Sequence, residues 1–402
     1  MRRLTCILGA AAPRLGSRHQ PSGLNTQFSG GQLAFSDYIK RSRAMIAEAR
    51  SEYNCIGLEK IADGNAPFEL KPSGDYQTGR KKPYRRGVLL THGLTDSPYF
   101  MRHLAAFFQE SGFRVMAVLL PGHGTRPGDL LDTNWREWVK TVAYGADRLA
   151  AEVDEVYLAG FSAGGALSVY QSLRDKRVCG LFLFSPVFKI ASRAAWANWH
   201  KAFSWLAPSW KWLTIMPDRD IYKYESLPKN AVAQVYALVR ELGSQLRRHE
   251  VGIPVFAAAS MDDATVAVSA TVDFMARARH PSGKLVLYTT DMGKIPCGIP
   301  AEKLEVVDSA LPKQRILGSA HTAIVLPTED AHYGAGGNYS NCLHYYPHDM
   351  EKYEACNRRS EGIWQGEITA ENLNAGTLRR LMVNPNFAAL KISMKRFIDN
   401  LP

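Results

Sequence analysis

From residue 87 onward, short apolar runs alternate with stretches whose apolar positions recur every three or four residues. That alternation is the pattern of repeated strand–helix–strand units, and it predicts a largely parallel sheet. The strand-like runs cover 87–90, 114–120, 156–159, 181–184, 254–259 and 284–289, with a weaker one at 315–317. Helical patterns fall between or after them at 99–110, 135–152, 163–173, 265–278 and 386–399. Nothing repeats internally, and no apolar run approaches the roughly 18–20 residues needed to span a bilayer.

The alternation fails in three places, and these failures define the expected organisation. Residues 1–80 are rich in Gly, Ser, Pro and Arg, with one helical stretch near 36–50, and are expected to form a partly helical N-terminal extension. Residues 189–250 carry Trp196, Trp199, Trp205, Trp210 and Trp212, five of the chain's eight tryptophans, and are expected to form a helical cap. A Tyr-, His- and Asn-rich interruption at 327–369 is expected as a loop insertion in a core made of 81–188 and 251–402.

Composition and charge narrow the class without choosing a function. Apolar residues make up 46% and charged residues 22% of 402, ordinary values for a globular protein and incompatible with a disordered or collagen-like chain. Of the net charge of +11, most lies in residues 1–86, where 15 Lys and Arg face 7 Asp and Glu. The cluster Arg80-Lys81-Lys82-Pro83-Tyr84-Arg85-Arg86 suits peripheral contact with an anionic membrane, although a solvated basic linker is the plainer expectation. No zinc-finger spacing or RNA-recognition motif accompanies the charge, so no nucleic-acid partner is expected.

The N-terminus, Met1-Arg2-Arg3 and then an apolar stretch at 4–12, has the basic head and a minimal apolar run of a signal peptide. Ala10-Ala11-Ala12 offers a cleavage site, but Pro13 would follow the cut, and an unstructured lead is the simpler expectation. Six cysteines are too few for a disulfide scaffold. Cys179 reads as a small buried residue, whereas Cys342 and Cys356 flank a polar loop and are able to pair in an oxidising compartment. The expected location is accordingly cytoplasmic, or periplasmic or secreted if those two are joined.

The candidate chemistry is concentrated at Gly160-Phe161-Ser162-Ala163-Gly164, behind the apolar run at 156–159 and ahead of a small-residue helix. Gly-x-Ser-x-Gly in that context marks a turn from strand to helix so sharp that glycines are needed two residues either side of the serine. Such a turn lifts the hydroxyl above the sheet at a helix N-terminus, where free N–H groups favour negative charge. A serine hydroxyl needs a histidine to take its proton and a carboxylate to orient that histidine. On this scaffold the acid and then the histidine should follow the serine along the chain. Asp263, at the end of the 254–259 strand and followed by Ala264-Thr265-Val266, is the expected acid, with adjacent Asp262 the alternative. His321, closing the 315–317 run in a small-residue loop, is the expected base, and His332, His344 and His348 compete for the role. The backbone N–H groups of Ala163 and of Leu94, in the loop His92-Gly93-Leu94, are the expected oxyanion donors. His92 and His123 read as structural hydrogen-bonding residues. No metal or organic cofactor is called for.

His92-Gly93-Leu94, Pro121-Gly122-His123-Gly124, the 160–164 turn, Asp263 and His321 together resemble the α/β-hydrolase superfamily. The branch is that of monoacylglycerol lipases, lysophospholipases, bacterial carboxylesterases and serine aminopeptidases. The likeness runs over about 85–326 and the final helix, and leaves out 1–80. It implies an α/β-hydrolase fold, a mostly parallel central sheet flanked by helices, with the Trp-rich cap inserted after the sixth strand. It also implies a serine carboxylic-ester hydrolase acting through an acyl-enzyme, with amide hydrolysis of the aminopeptidase type, or thioester hydrolysis or acyl transfer, as alternatives. Trp196, Trp199 and Trp205 are the expected contacts for an apolar acyl group, such as that of a monoacylglycerol or lysophospholipid. Ser260, where the superfamily often has glycine, and the interruption Met292-Gly293-Lys294-Ile295-Pro296 depart from the usual pattern.

Overall fold

The structure, a computed structural model, describes residues 14–51, 57–72, 82–190, 208–358 and 362–402. An eight-stranded sheet runs through it in the order β1 (Phe68–Leu70), β3 (Phe113–Val118), β2 (Tyr84–Thr91), β4 (Val153–Phe161), β5 (Val178–Phe184), β8 (Val255–Ser260), β9 (Lys284–Thr289) and β10 (Leu304–Asp308). Every pairing is parallel except the first, where β1 lies antiparallel to β3.

Successive side chains of a strand point to opposite faces, and here both faces are covered. Leu89, Leu158, Leu181, Leu183, Ala257 and Leu285 pack on one side against α4 (Trp135–Glu152), α5 (Ala163–Ser172), α6 (Lys229–Leu246) and α7 (Val268–Arg277). Val88, Leu90, Ala159, Phe182, Phe256 and Val286 pack on the other against α3 (Arg102–Glu110) and α10 (Phe387–Asp399). This double burial is why the strands read as continuous apolar runs.

The run expected as a strand at 315–317 is not in this sheet. Ile316 forms only isolated bridges, to Leu311 and Gln365, and the last strand is instead β10. β10 eluded the pattern because it lies at the sheet edge and is only partly buried, with Glu305 and Asp308 interrupting its apolar residues. β1 was hidden for the same reason: it has three residues, all half-buried.

Residues 14–72, expected as an extension outside the core, contribute to it. β1 adds an edge strand, and buried Arg114 of β3 ties it down by ion pairs to Glu69 and, at 2.7 Å, to Glu152 of α4. Phe35 and Tyr38 of α1 (Phe35–Arg50) join the core cluster, and Ile46 packs with Ala62 of α2 (Leu58–Asn65) and with Leu119. The Tyr38 hydroxyl donates to the Leu119 carbonyl at 2.9 Å and accepts from its N–H at 3.1 Å. Of the basic cluster, Lys82 binds the carbonyls of Ala150 and Val153, while Arg85 and Arg86 pair with Glu155. These cations have partners inside the fold.

Of the segment expected as a helical cap, 189–250, the structure describes 189–190 and 208–250. Among the described residues five strands precede it in chain order, so there it follows β5 rather than a sixth strand. Its described part holds an antiparallel pair, β6 (Trp212–Thr214) and β7 (Leu227–Pro228), and then α6. Ala231, Val235, Leu238 and Leu242 lie on one face of α6 and are buried in the main core, which fixes the helix to the sheet. Trp212 is 5% exposed and packs edge-on against His19, whereas Trp210 is 51% exposed. Trp196, Trp199 and Trp205 lie outside the described residues.

The insertion at 327–369 is more ordered than a loop. It includes α8 (Met350–Asn357), tied back by a disulfide between Cys342 and Cys356. β11 (Trp364–Gly366) pairs with β12 (Leu378–Arg380), with the short α9 (Ala370–Leu373) between them. Among the described residues no helix is long and apolar enough to cross a membrane.

The two Tyr38 hydrogen bonds give a direct check that the N-terminal segment belongs to the folded unit. Tyr38→Phe leaves the buried N–H and carbonyl of Leu119 without that partner and should lower unfolding stability by about 1–3 kcal/mol, read by denaturant titration.

Candidate active site

β4 ends at Phe161 and α5 begins at Ala163, so Ser162 alone makes the turn between them. Its backbone sits at φ 53°, ψ −115°, a conformation that is strained for any residue with a Cβ. Backbone hydrogen bonds hold it there. Ser162 N–H donates to Phe184 O at 2.9 Å, and Ser162 O accepts from Gly165 at 3.0 Å and from Val187 at 3.2 Å. The flanking glycines answer to close approach rather than to backbone angle. A Cβ on Gly160 would lie 2.2 Å from Gly164 O, and one on Gly164 would lie 2.1 Å from Thr91 O.

Two further loops, both beyond C-terminal strand ends, meet the serine. His321 Nε2 lies 3.0 Å from Ser162 Oγ, and its Nδ1 lies 2.6 Å from Asp263 Oδ2. With the proton on Nδ1, which Asp263 favours, Nε2 is left to accept the serine proton. The other oxygen of Asp263 accepts from the N–H groups of Thr265 at 2.7 Å and Val266 at 2.9 Å, so the carboxylate is held from both sides. Asp262 faces away. It accepts from Thr290 and Ser309 at the ends of β9 and β10, and burial pushes its carboxyl up from the usual range.

The remaining histidines sort by their partners. His92 accepts from Leu120 N–H and lies 2.8 Å from Gly93 O, and burial holds its pKa well below the ordinary value. His123 is fully buried with Nδ1 3.0 Å from Pro121 O, and burial lowers its pKa to about 4. His332 is engaged by Asp220 at 3.0 Å, and His348 is exposed. His344 is the exception, since it lines the same cavity as Ser162 and His321.

Several side chains at the site carry no sequence motif. Glu367, 1% exposed, accepts from His321 N–H at 3.0 Å and pairs with Arg380 at 2.9 Å. Arg380 also donates to Thr265 Oγ1 at 2.6 Å, which links the histidine loop to the aspartate loop. Ser260, in place of the usual glycine, donates to Ser319 O at 2.7 Å and accepts from Asp262 N–H at 3.1 Å. Glu367 lies 46 residues beyond His321 in the insertion, and nothing in its neighbours marks it as special.

The cavity above Ser162 has a volume of about 520 Å³. Its apolar lining includes Leu94, Val187, Ile190, Leu227, Val232 and Val235, and Ala163, the first residue of α5, also faces it. The N–H of Ala163 has no acceptor within its own helix. The charged lining groups are internally paired or neutralised: Lys223 forms an ion pair with Asp96 and donates to Thr95 Oγ1 at 2.9 Å. Glu225 accepts from Tyr339 Oη at 2.8 Å and Arg219 N–H at 3.0 Å, yet burial dominates and raises its pKa to about 7. Among the described residues no group of three His, Cys, Asp or Glu side chains is placed to hold a metal ion.

The Glu225 shift sets a sign for the pH dependence of stability. A carboxyl whose pKa rises from 4.5 to about 7 on folding stabilises the fold fully at low pH and loses that contribution as pH rises through 7. Glu225→Gln cannot ionise. Between pH 5 and pH 8 the wild type should lose about 1–3 kcal/mol relative to this variant, read as the difference between their melting temperatures at the two pH values.

Comparison with known proteins agrees with this architecture. The family described as "Serine aminopeptidase, S33" matches residues 82–292, more than half of the chain, and that match ends before His321. Among curated proteins, a thermostable monoacylglycerol lipase of Bacillus sp. (strain H-257) is 29% identical over 162 residues, covering 40% of this chain and 65% of that one. A carboxylesterase of Bacillus subtilis (strain 168) is 33% identical over 85 residues, 21% of this chain and 35% of that one. The chain thus spans less than two thirds of either relative. Similar solved structures include one reported for two metagenome-derived lipolytic enzymes, at 24% identity and a TM-score of 0.46, covering 56% of this chain and 87% of that one. Another is a monoacylglycerol lipase of Paleococcus ferrophilus, at 17% identity and a TM-score of 0.41, covering 51% and 86%. The chain has the α/β-hydrolase fold and belongs to the serine aminopeptidase S33 family.

Proposed function

We propose that this protein is a serine carboxylic-ester hydrolase of the esterase and lipase type, acting on esters with an apolar acyl group such as monoacylglycerols or lysophospholipids. Ser162 Oγ attacks the ester carbonyl while His321 Nε2 takes its proton, and Asp263 orients the ring and stabilises the imidazolium. The N–H groups of Leu94 and Ala163 receive the oxyanion. His321 then returns the proton to the departing alcohol, leaving an acyl-enzyme. Water, deprotonated by the same ring, attacks the acyl carbonyl and releases the acid. No cofactor takes part.

The observation that carries this proposal is the hydrogen-bonded line from Ser162 Oγ through His321 to Asp263, at 3.0 and 2.6 Å, opening into an apolar cavity. The lipase and esterase relatives support the choice of an ester. Against a substrate amine of the aminopeptidase kind stands the state of the cavity's acids. Asp96 is already paired with Lys223, and Glu225 is half neutral near pH 7, so neither is a ready partner for an ammonium group. The disulfide of Cys342 and Cys356 supports a periplasmic or secreted setting.

Hydrolysis of p-nitrophenyl esters from acetyl to palmitoyl tests the proposal. The wild type should cleave them, with an optimum at intermediate chain length. Ser162→Ala and His321→Ala should lose roughly 10³-fold or more in kcat, and Asp263→Asn roughly 10²–10⁴-fold, whereas Asp262→Asn should stay within about tenfold. No ester cleavage by the folded protein, with cleavage of aminoacyl amides instead, would overturn it.

A further inference from the structure

We propose that Asn341, His344 and Arg380 form the subsite for the alcohol half of the ester, and that His344 selects polyols, alcohols that carry a free hydroxyl beside the ester. The proposal rests on the ester-hydrolase assignment and deepens it. Asn341, His344 and Arg380 are polar groups close together in the wall of the cavity that also holds Ser162 and His321, and Val187, Val232 and Val235 are apolar groups of the same wall. An ester with an apolar acid and a hydrophilic alcohol matches that division.

His344 is the informative residue. Among the described residues it is the one histidine, itself half-buried, whose two ring nitrogens are both buried without a hydrogen-bond partner. Its ring rests against that of Tyr345, centroids 4.0 Å apart, with the backbone of Leu378 beside it. Burying unpaired nitrogens is unfavourable, and a group left so at a cavity wall is placed to be satisfied by a ligand. Burial also holds the imidazole neutral, with a pKa of about 4. A neutral imidazole offers one donor and one acceptor, and so does a hydroxyl. Carboxylates and phosphates only accept, and ammonium groups only donate.

Charge points the same way. Arg380 is held by Glu367 and Thr265, and Lys223 by Asp96, so among the described residues the cavity offers no uncommitted cation for a phosphate headgroup. The wall is also held in place. Cys342 is joined to Cys356, Arg380 N–H donates to Asn341 O at 3.0 Å, and Leu378 N–H donates to Tyr345 Oη at 2.9 Å. A rigid donor–acceptor pair discriminates better than a mobile one.

The test compares kcat/KM for the glyceryl and ethyl monoesters of one fatty acid, octanoic acid, in wild type, His344→Leu and His344→Gln. The glyceryl-to-ethyl ratio should fall about fivefold in His344→Leu, the size of one hydrogen bond between uncharged groups. It should stay within about twofold of wild type in His344→Gln, whose amide keeps a donor and an acceptor. His344→Phe, which preserves the ring contact with Tyr345, serves as a second apolar variant if the leucine form does not fold. A ratio that neither apolar variant moves, or one that falls equally in the glutamine form, overturns the subsite while leaving the hydrolase intact. If the wild type cleaves neither ester in a Ser162-dependent way, the hydrolase proposal fails and the subsite with it.

Discussion

Ser162 occupies a backbone conformation that the chain would leave if its surroundings allowed it, and much of the architecture around it prevents that. The strain at φ 53° is held by hydrogen bonds to the end of β5 at Phe184 and to the loop after it at Val187. The helix that follows packs so close to β2 and β4 that Gly160 and Gly164 have no room for a side chain. A strained turn persists only where neighbouring contacts over-determine it. Here those neighbours are central strands of a sheet buried on both faces. The same geometry puts the hydroxyl at the C-terminal edge, where the loops after the later strands converge.

The two partners of Ser162 arrive on less regular chain, and a second layer of polar contacts compensates. Asp263 is fixed by the N–H groups of its own turn, and Ser260 binds the histidine loop at Ser319. Glu367 takes the N–H of His321 and, through Arg380 and Thr265, connects the histidine loop to the aspartate loop. Glu367 and Arg380 sit on or beside the β11 and β12 pair, so the insertion at 327–369 is built into the support of the site.

Legibility from sequence followed how local the determining contacts are. The central strands and α4, α5 and α10 are visible because each has a run or period of apolar residues created by burial on a known face. Ser162, Asp263 and His321 are visible because each lies in a short turn whose neighbours are themselves required. β1 and β10 escaped because edge strands are half-buried and their composition is mixed. Glu367 escaped because its role comes from contacts with residues far away in the chain, which no local pattern records, and His344 reads only as a competitor for the base. The 229–246 segment reads as part of a cap because it follows the tryptophan cluster, although its own apolar period belongs to a helix packed on the sheet.

The central claim is that Ser162 is the nucleophile, activated by His321. Labelling with an alkyl fluorophosphonate, followed by intact-mass measurement and peptide mapping, addresses it without assuming any substrate. One adduct per chain is expected, on the peptide containing Ser162, forming far more slowly in His321→Ala. An adduct on another residue, or a folded protein that takes up no label, would contradict the account.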